Sequence, residues 1–144
     1  MRLFTIGFTK TGAEAFFSKL KAAGVRRVID VRLTNVSQLA GFAKRDDLVY
    51  FLKELCDCDY VHRPELAPTK EILDEYRAKK IDWPRYARQF NALLVDRAVE
   101  NEISPDQLDR ACLLCSEPTA ENCHRRLVAE YFQERYPEIE ILHL

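Results

Sequence analysis

The sequence predicts an α/β fold in three layers, a mostly parallel sheet of about five strands with helices on both faces. Three observations predict it. Short apolar runs alternate with longer amphipathic stretches, and no low-complexity linker or repeat of fixed period interrupts them. Ala111 to Cys115 is apolar on both faces, as a central strand of a parallel sheet covered on both sides should be. The 144 residues suit a single domain over 1–144, long enough to bury about two-thirds of the surface its unfolded form exposes.

Taken in order, residues 3–8 read as the first strand. A helix over 12–23 follows, with Phe16, Phe17 and Leu20 as its apolar stripe and Gly24 as its end. Residues 25–32 read as the second strand. Residues 33–45 show neither period and hold Thr34, Asn35, Ser37, Gln38 and Gly41, which predicts an irregular loop of functional length. A helix over 47–55, a strand over 58–62, a turn at Pro64 and Pro68 and an exposed helix over 69–79 come next. Asp82 is positioned to cap a longer helix with Pro84 in its first turn and Tyr86, Phe90, Leu93, Leu94 and Arg97 at helical spacing. Ser104-Pro105 opens one short turn before the central strand. A helix over 122–135 is ended by Pro137, and residues 138–141 alternate like a last strand with one wet face.

Composition narrows the function classes. Lys+Arg 22 against Asp+Glu 23 leaves a net charge of −1, so nothing holds a nucleic acid or an anionic membrane by bulk attraction; an anion needs a local cluster. Hydrophobic residues at 47%, charged residues at 31%, Gly 4 and Pro 6 exclude collagen-like and largely disordered chains. The longest apolar runs, 48–52 and 111–115, fall far short of the roughly 20 residues needed to cross a bilayer. The opening Arg2-Leu3-Phe4-Thr5-Ile6-Gly7 has no leader pattern, and five cysteines without an export signal read as reduced thiols; a cytoplasmic protein is expected.

In parallel sheets ligands sit beyond the carboxyl ends of the strands. That rule selects the Gly7-Phe8-Thr9 corner, Asp30 and Arg32 with the loop after them, His62, and the segment from Cys115 to Arg126. Asp30 and Arg32 are two apart on a strand and share a face, so they can reach one ligand together or pair to close the sheet end. His124, Arg125 and Arg126 cluster at a helix N-terminus, against the macrodipole. A bound anion would resolve the conflict, as would neutralisation by Glu117 and Glu121.

Cys115 stands where a strand yields to a loop and helix, a placement suited to a stabilised thiolate, and Cys123 is the second such candidate. Glu117 is expected to share a cleft with Asp30, so that two carboxylates meet two arginines and divide acid and base roles. His62 and His124 could each move a proton or simply hold a turn by hydrogen bonding. Cys112 and Cys115, three apart on a strand, face opposite sides and cannot grip one ion; a metal site would need Cys115, Cys123, His124 and the distant His62. No metal and no cofactor is predicted, since Gly7 stands alone and no phosphate loop or dinucleotide fingerprint is present.

Taken together, Thr5-Ile6-Gly7-Phe8-Thr9, Asp30-Val31-Arg32 and Cys115-x-Glu117 followed by Cys123-His124-Arg125 resemble the bacterial and archaeal family called domain of unknown function 488, over nearly the whole chain. Asn35, Gln38 and Leu66-Ala67-Pro68 depart from its usual pattern. The resemblance implies a fold and a residue set, but no settled activity. A looser similarity is to rhodanese-like domains. The expected function is therefore a cytoplasmic enzyme or nucleotide-processing domain that binds a small anionic, phosphate-bearing ligand. Asp30, Cys115, Glu117 and His124 are its candidate catalytic groups, and Thr9, Arg32, Ser37, His62, Cys123 and Arg125 its candidate ligand-binding ones. Rhodanese-like chemistry on Cys115, or a non-catalytic module for nucleic acid or a protein partner, are the alternatives.

Overall fold

The computed structural model describes residues 1–36 and 41–144. Five strands, β1 (Arg2–Gly7), β2 (Arg27–Asp30), β3 (Asp59–His62), β4 (Ala111–Cys115) and β5 (Glu140–His143), form one sheet in the order β3-β2-β4-β1-β5. Every pairing is parallel. β4 lies in the middle with all five residues buried, which is what its two-faced apolarity requires.

Among the described residues six α-helices flank the sheet: α1 (Ala13–Ala23), α2 (Arg45–Cys56), α3 (Lys70–Arg77), α4 (Trp83–Arg97), the single turn α5 (Pro105–Leu108) and α6 (His124–Arg135). Strand alternation sorts the core into two halves. Phe4, Ile6, Val28, Cys112 and Leu114 pack with Phe16, Phe17 and Leu20 of α1 and Leu48 and Leu52 of α2. Leu3, Ile29, Val31, Leu113 and Cys115 pack with Tyr86, Phe90 and Leu94 of α4 and Leu127, Val128 and Phe132 of α6. The result is the three-layer α/β architecture, and no helix is long and apolar enough to cross a membrane among the described residues.

Local chemistry explains the boundaries. Gly24, at φ 71°, ends α1 in the left-handed region as expected of a C-terminal glycine. Thr69 accepts from the Ile72 N–H and Asp82 from the Arg85 N–H, so α3 and α4 start one residue after their caps. The last strand is displaced from 138–141 to Glu140–His143, because Ile139 donates to the Tyr136 carbonyl and Glu140 is the first residue to bond the sheet, at the Met1 carbonyl. The end of the expected loop is regular: a 3-10 turn, Gly41–Ala43, leads into α2 at Arg45, and residues 37–40 lie outside the described residues.

Candidate active site

A cleft of about 340 Å³ opens at the carboxyl ends of the strands, lined by Phe8 after β1, Arg32, Leu33 and Thr34 after β2, and Cys115, Ser116 and Glu117 at the end of β4. Asn122, Cys123 and His124 at the start of α6 close one side, and Lys70, Tyr76, Arg77 and Tyr86 from α3 and α4 close another.

The floor of the cleft is a cysteine and a histidine. Cys115 is the last residue of β4 and His124 the first of α6, both buried, with Cys115 Sγ 3.5 Å from His124 Nδ1. His124 Nε2 lies 2.7 Å from the Val31 carbonyl. A carbonyl only accepts, so Nε2 carries a proton and Nδ1 is the nitrogen offered to sulfur. The Cys115 thiol is held well below its ordinary value: the neighbouring Cys123 thiol, as hydrogen-bond partner, contributes most, burial opposes, and the His124 charge and hydrogen bond and the Ser116 N–H add to it. Burial acts against a charged His124, but the Cys115 charge and hydrogen bond and the Val31 carbonyl outweigh it and raise its pKa. Both shifts favour the thiolate–imidazolium form of the pair. Cys123 moves the opposite way, kept protonated by the Cys115 sulfur beside it and by burial.

Arg32 forms the second feature. It is 5% exposed and grips Asp30 with two bonds, Nε to Oδ1 at 2.9 Å and Nη2 to Oδ2 at 2.7 Å; Nη2 also donates to the Ala43 carbonyl. The guanidinium carbon sits 5.2 Å over the Phe8 ring. Nη1 is buried and has no hydrogen-bond partner among the described residues. Buried donors are nearly always paired, so this one is positioned for a ligand or a water.

Asp30 itself is fully buried and accepts from Arg32 and from the Tyr60 hydroxyl at 2.6 Å, which in turn accepts from Asn35. It does not line the cleft; it orients Arg32 from below. Glu117 lines the cleft but is exposed and forms no ion pair among the described residues. The expected meeting of two carboxylates with two arginines does not form, because Asp30, on the face of Val28, is sequestered by Arg32 and Tyr60 while the chain bends away from extended geometry at Ser116.

The cations of α6 are accommodated in a way not foreseen. Each bonds a main-chain carbonyl: His124 that of Val31, Arg125 Nη1 that of Glu117 at 2.6 Å, and Arg126 Nη1 that of Glu121 at 2.7 Å. The two glutamates thus supply backbone oxygens where carboxylates or an anion were expected. Arg125, 1% exposed, also reaches the Thr5 hydroxyl at 3.4 Å and does not line the cleft. Gly7 makes room for this crossing, since a Cβ there would lie 1.6 Å from the Glu117 carbonyl oxygen.

His62 is also structural in placement, its Nε2 lying 2.7 Å from the Arg32 carbonyl, away from the cleft. Thr9 ties the corner to β4 through its N–H on the Ser116 carbonyl at 3.0 Å. Ser37 lies outside the described residues. Cys115, Cys123 and His124 place their ligating atoms within 4.8 Å of one another; three donors fall one short of a structural zinc set, and His62 is too committed elsewhere to be the fourth. Tyr86, Lys70 and Arg77 were not anticipated at the site. Tyr86 belongs to the apolar stripe of α4 and reads as core, and basic residues on an exposed helix are indistinguishable by sequence from ordinary solvated ones.

Fold and site together define an all-parallel, three-layer α/β domain with a cysteine–histidine pair at its strand ends. Within that class the chain belongs to the family described as Domain of unknown function DUF488, whose model matches residues 12–132 and so spans both the Asp30–Arg32 pair and the Cys115–His124 pair. No curated protein and no solved structure matches it.

Proposed function

We propose that the chain is an enzyme in which Cys115 is the nucleophile and the cleft above it binds a small substrate carrying an anionic group. The observation that carries this reading is the Cys115–His124 pair, 3.5 Å apart with the far ring nitrogen fixed by the Val31 carbonyl. Nucleophile, base and orienting acceptor are the three parts such catalysis needs. Arg32 Nη1 is the donor assigned to the anion, with Arg77 at the rim to attract it, while the Lys70 charge there is paired with Asp74. In the covalent step Cys115 Sγ bonds to the electrophilic atom of the substrate, the bond to the leaving group breaks, and the leaving group takes the proton from His124 Nδ1. A phosphate-bearing substrate suits the same donors. The five thiols, all free, suit a reducing cytoplasmic setting.

The test is alkylation by iodoacetate, a small anionic electrophile, followed by peptide mass mapping. At pH 6 Cys115 is expected to react ahead of the other four cysteines, and inorganic phosphate at constant ionic strength is expected to slow it. Equal labelling of all accessible thiols, with no effect of phosphate, would contradict the reading.

A further inference from the structure

Cys123 lowers the pKa of Cys115 but forms and breaks no bond in the chemistry assigned to it, and its position is unusual. It is the N-cap of α6 and makes no side-chain capping bond, where α3 and α4 spend Thr69 and Asp82 on that task. A cysteine there forgoes about 1 kcal/mol of capping. What the position does instead is bring a second thiol to the nucleophile: residues 116–122 fold back so that the sulfurs of Cys115 and Cys123, with a His124 ring nitrogen, lie within 4.8 Å of one another, and both residues line the cleft. The other cysteines are placed elsewhere. Cys112 and Cys58 are buried in the opposite half of the core, and Cys56 packs against it.

We propose that Cys115 and Cys123 form a redox-active dithiol that reduces small anionic organic disulfides, with Cys123 as the resolving thiol. The inference rests on the reading of Cys115 as nucleophile and names its substrate class. Two stations of the site are suited to it. The pKa of one thiol is lowered and that of its neighbour raised, the asymmetry that distinguishes an attacking from a resolving cysteine. Arg125 Nη1, 3.7 Å from Cys123 Sγ, steadies the charge that develops when that thiol gives up its proton.

The steps balance. The Cys115 thiolate attacks one sulfur of R–S–S–R, forming Cys115–S–S–R; the departing RS⁻ takes the proton of the His124 imidazolium. Neutral His124 then accepts the Cys123 proton, Cys123 sulfur attacks Cys115 Sγ, and the second RS⁻ leaves with that proton. Two electrons pass from the cysteine pair to the disulfide, giving two RSH and a Cys115–Cys123 disulfide. Closing the bond brings the sulfurs from within 4.8 Å to about 2.05 Å.

The experiment uses reduced full-length protein and 2,2′-dithiodiacetate, a small dianionic disulfide, at near-neutral pH, with acid quench, intact mass and peptide mapping. Wild type is expected to become two hydrogens lighter, with Cys115 and Cys123 joined and no adduct retained. Cys123→Ser, whose hydroxyl is a better cap and should not impair folding, is expected to stop at one thioglycolate adduct on Cys115. Cys115→Ser is expected to react at least about tenfold more slowly at Cys123, which lacks the thiolate. If wild type and Cys123→Ser stop at the same stable Cys115 adduct, Cys123 does not resolve and this inference fails while the nucleophile reading survives. If Cys115 is unmodified in both, the two readings fail together.

Discussion

Gly7 carries more of the site than its lack of a side chain implies. The Glu117 carbonyl and the Arg125 guanidinium both occupy the space where its side chain would stand, the first at 1.6 Å and the second at 2.8 Å from a built Cβ. The first contact is with backbone, which cannot swing aside. Gly7→Ala is therefore expected to cost about 1 to 3 kcal/mol, the usual penalty of overpacking, and to loosen the turn that follows Cys115. Equilibrium denaturation measures the first effect; an unchanged denaturation midpoint would show that the Glu117 carbonyl moves freely. Asp30 and Arg32 were legible as a pair from their spacing of two, although β2 ends at Asp30 and Arg32 lies just beyond it. Their partners were not, since Tyr60 and Ala43 come from elements whose placement depends on sheet order.

At the scale of elements, α6 begins with three basic residues against its own dipole, and the conflict was visible in the sequence while its resolution was not. Glu117 and Glu121 were noticed for their carboxylates, but the folded loop presents their carbonyls, and main-chain acceptors leave no mark on side-chain identity. Arg125 is consequently a fastening between β1, the loop and α6. Arg125→Met is expected to destabilise by roughly 1 to 3 kcal/mol for each group left unpaired, the Glu117 carbonyl foremost. Thermal melting checks this, and phosphate protection of Cys115 in the folded fraction should persist, because Arg125 does not line the cleft. Protection lost without destabilisation would return Arg125 to the ligand. Most element boundaries fell within a residue or two of their expected positions where a cap, a glycine or a proline marks them. β5 slipped by two residues because the turn after Pro137 consumes 138 and 139, and alternation is equally satisfied by either register.

For the whole molecule, the parallel sheet and its two helical layers were legible because strands and helices alternate along the chain and β4 is apolar on both faces. The order β3-β2-β4-β1-β5 was not, since periodicity states which face is buried and says nothing of which neighbour buries it. That order is what seats Arg32 and Cys115 at one cleft, and it turns a pattern of separate motifs into a charge pair with a pH window. Cys115, its pKa lowered, contributes stability in full above the unfolded thiol value and loses it as pH falls through the lowered one; His124, its pKa raised, contributes in full below the unfolded imidazole value and loses it as pH rises through the raised one. Between the unfolded values, about 6.5 for imidazole and about 8.5 for thiol, neither contribution is complete. Arg32, Cys123 and Tyr86 line the cleft around the pair; the Arg32 charge favours the thiolate, while Arg125, beside Cys123, acts against the imidazolium.

The central claim is that Cys115 rests as a thiolate, and the most direct measurement is the ultraviolet thiolate absorbance of wild type minus that of Cys115→Ser, followed from pH 5 to pH 9. The account predicts that the difference is already present at pH 7 and disappears only on further acidification, because the ion pair with His124 holds the charge. A difference that rises only near the ordinary thiol value of about 8.5, or above it, would show that burial outweighs His124 and Cys123, and would contradict the account.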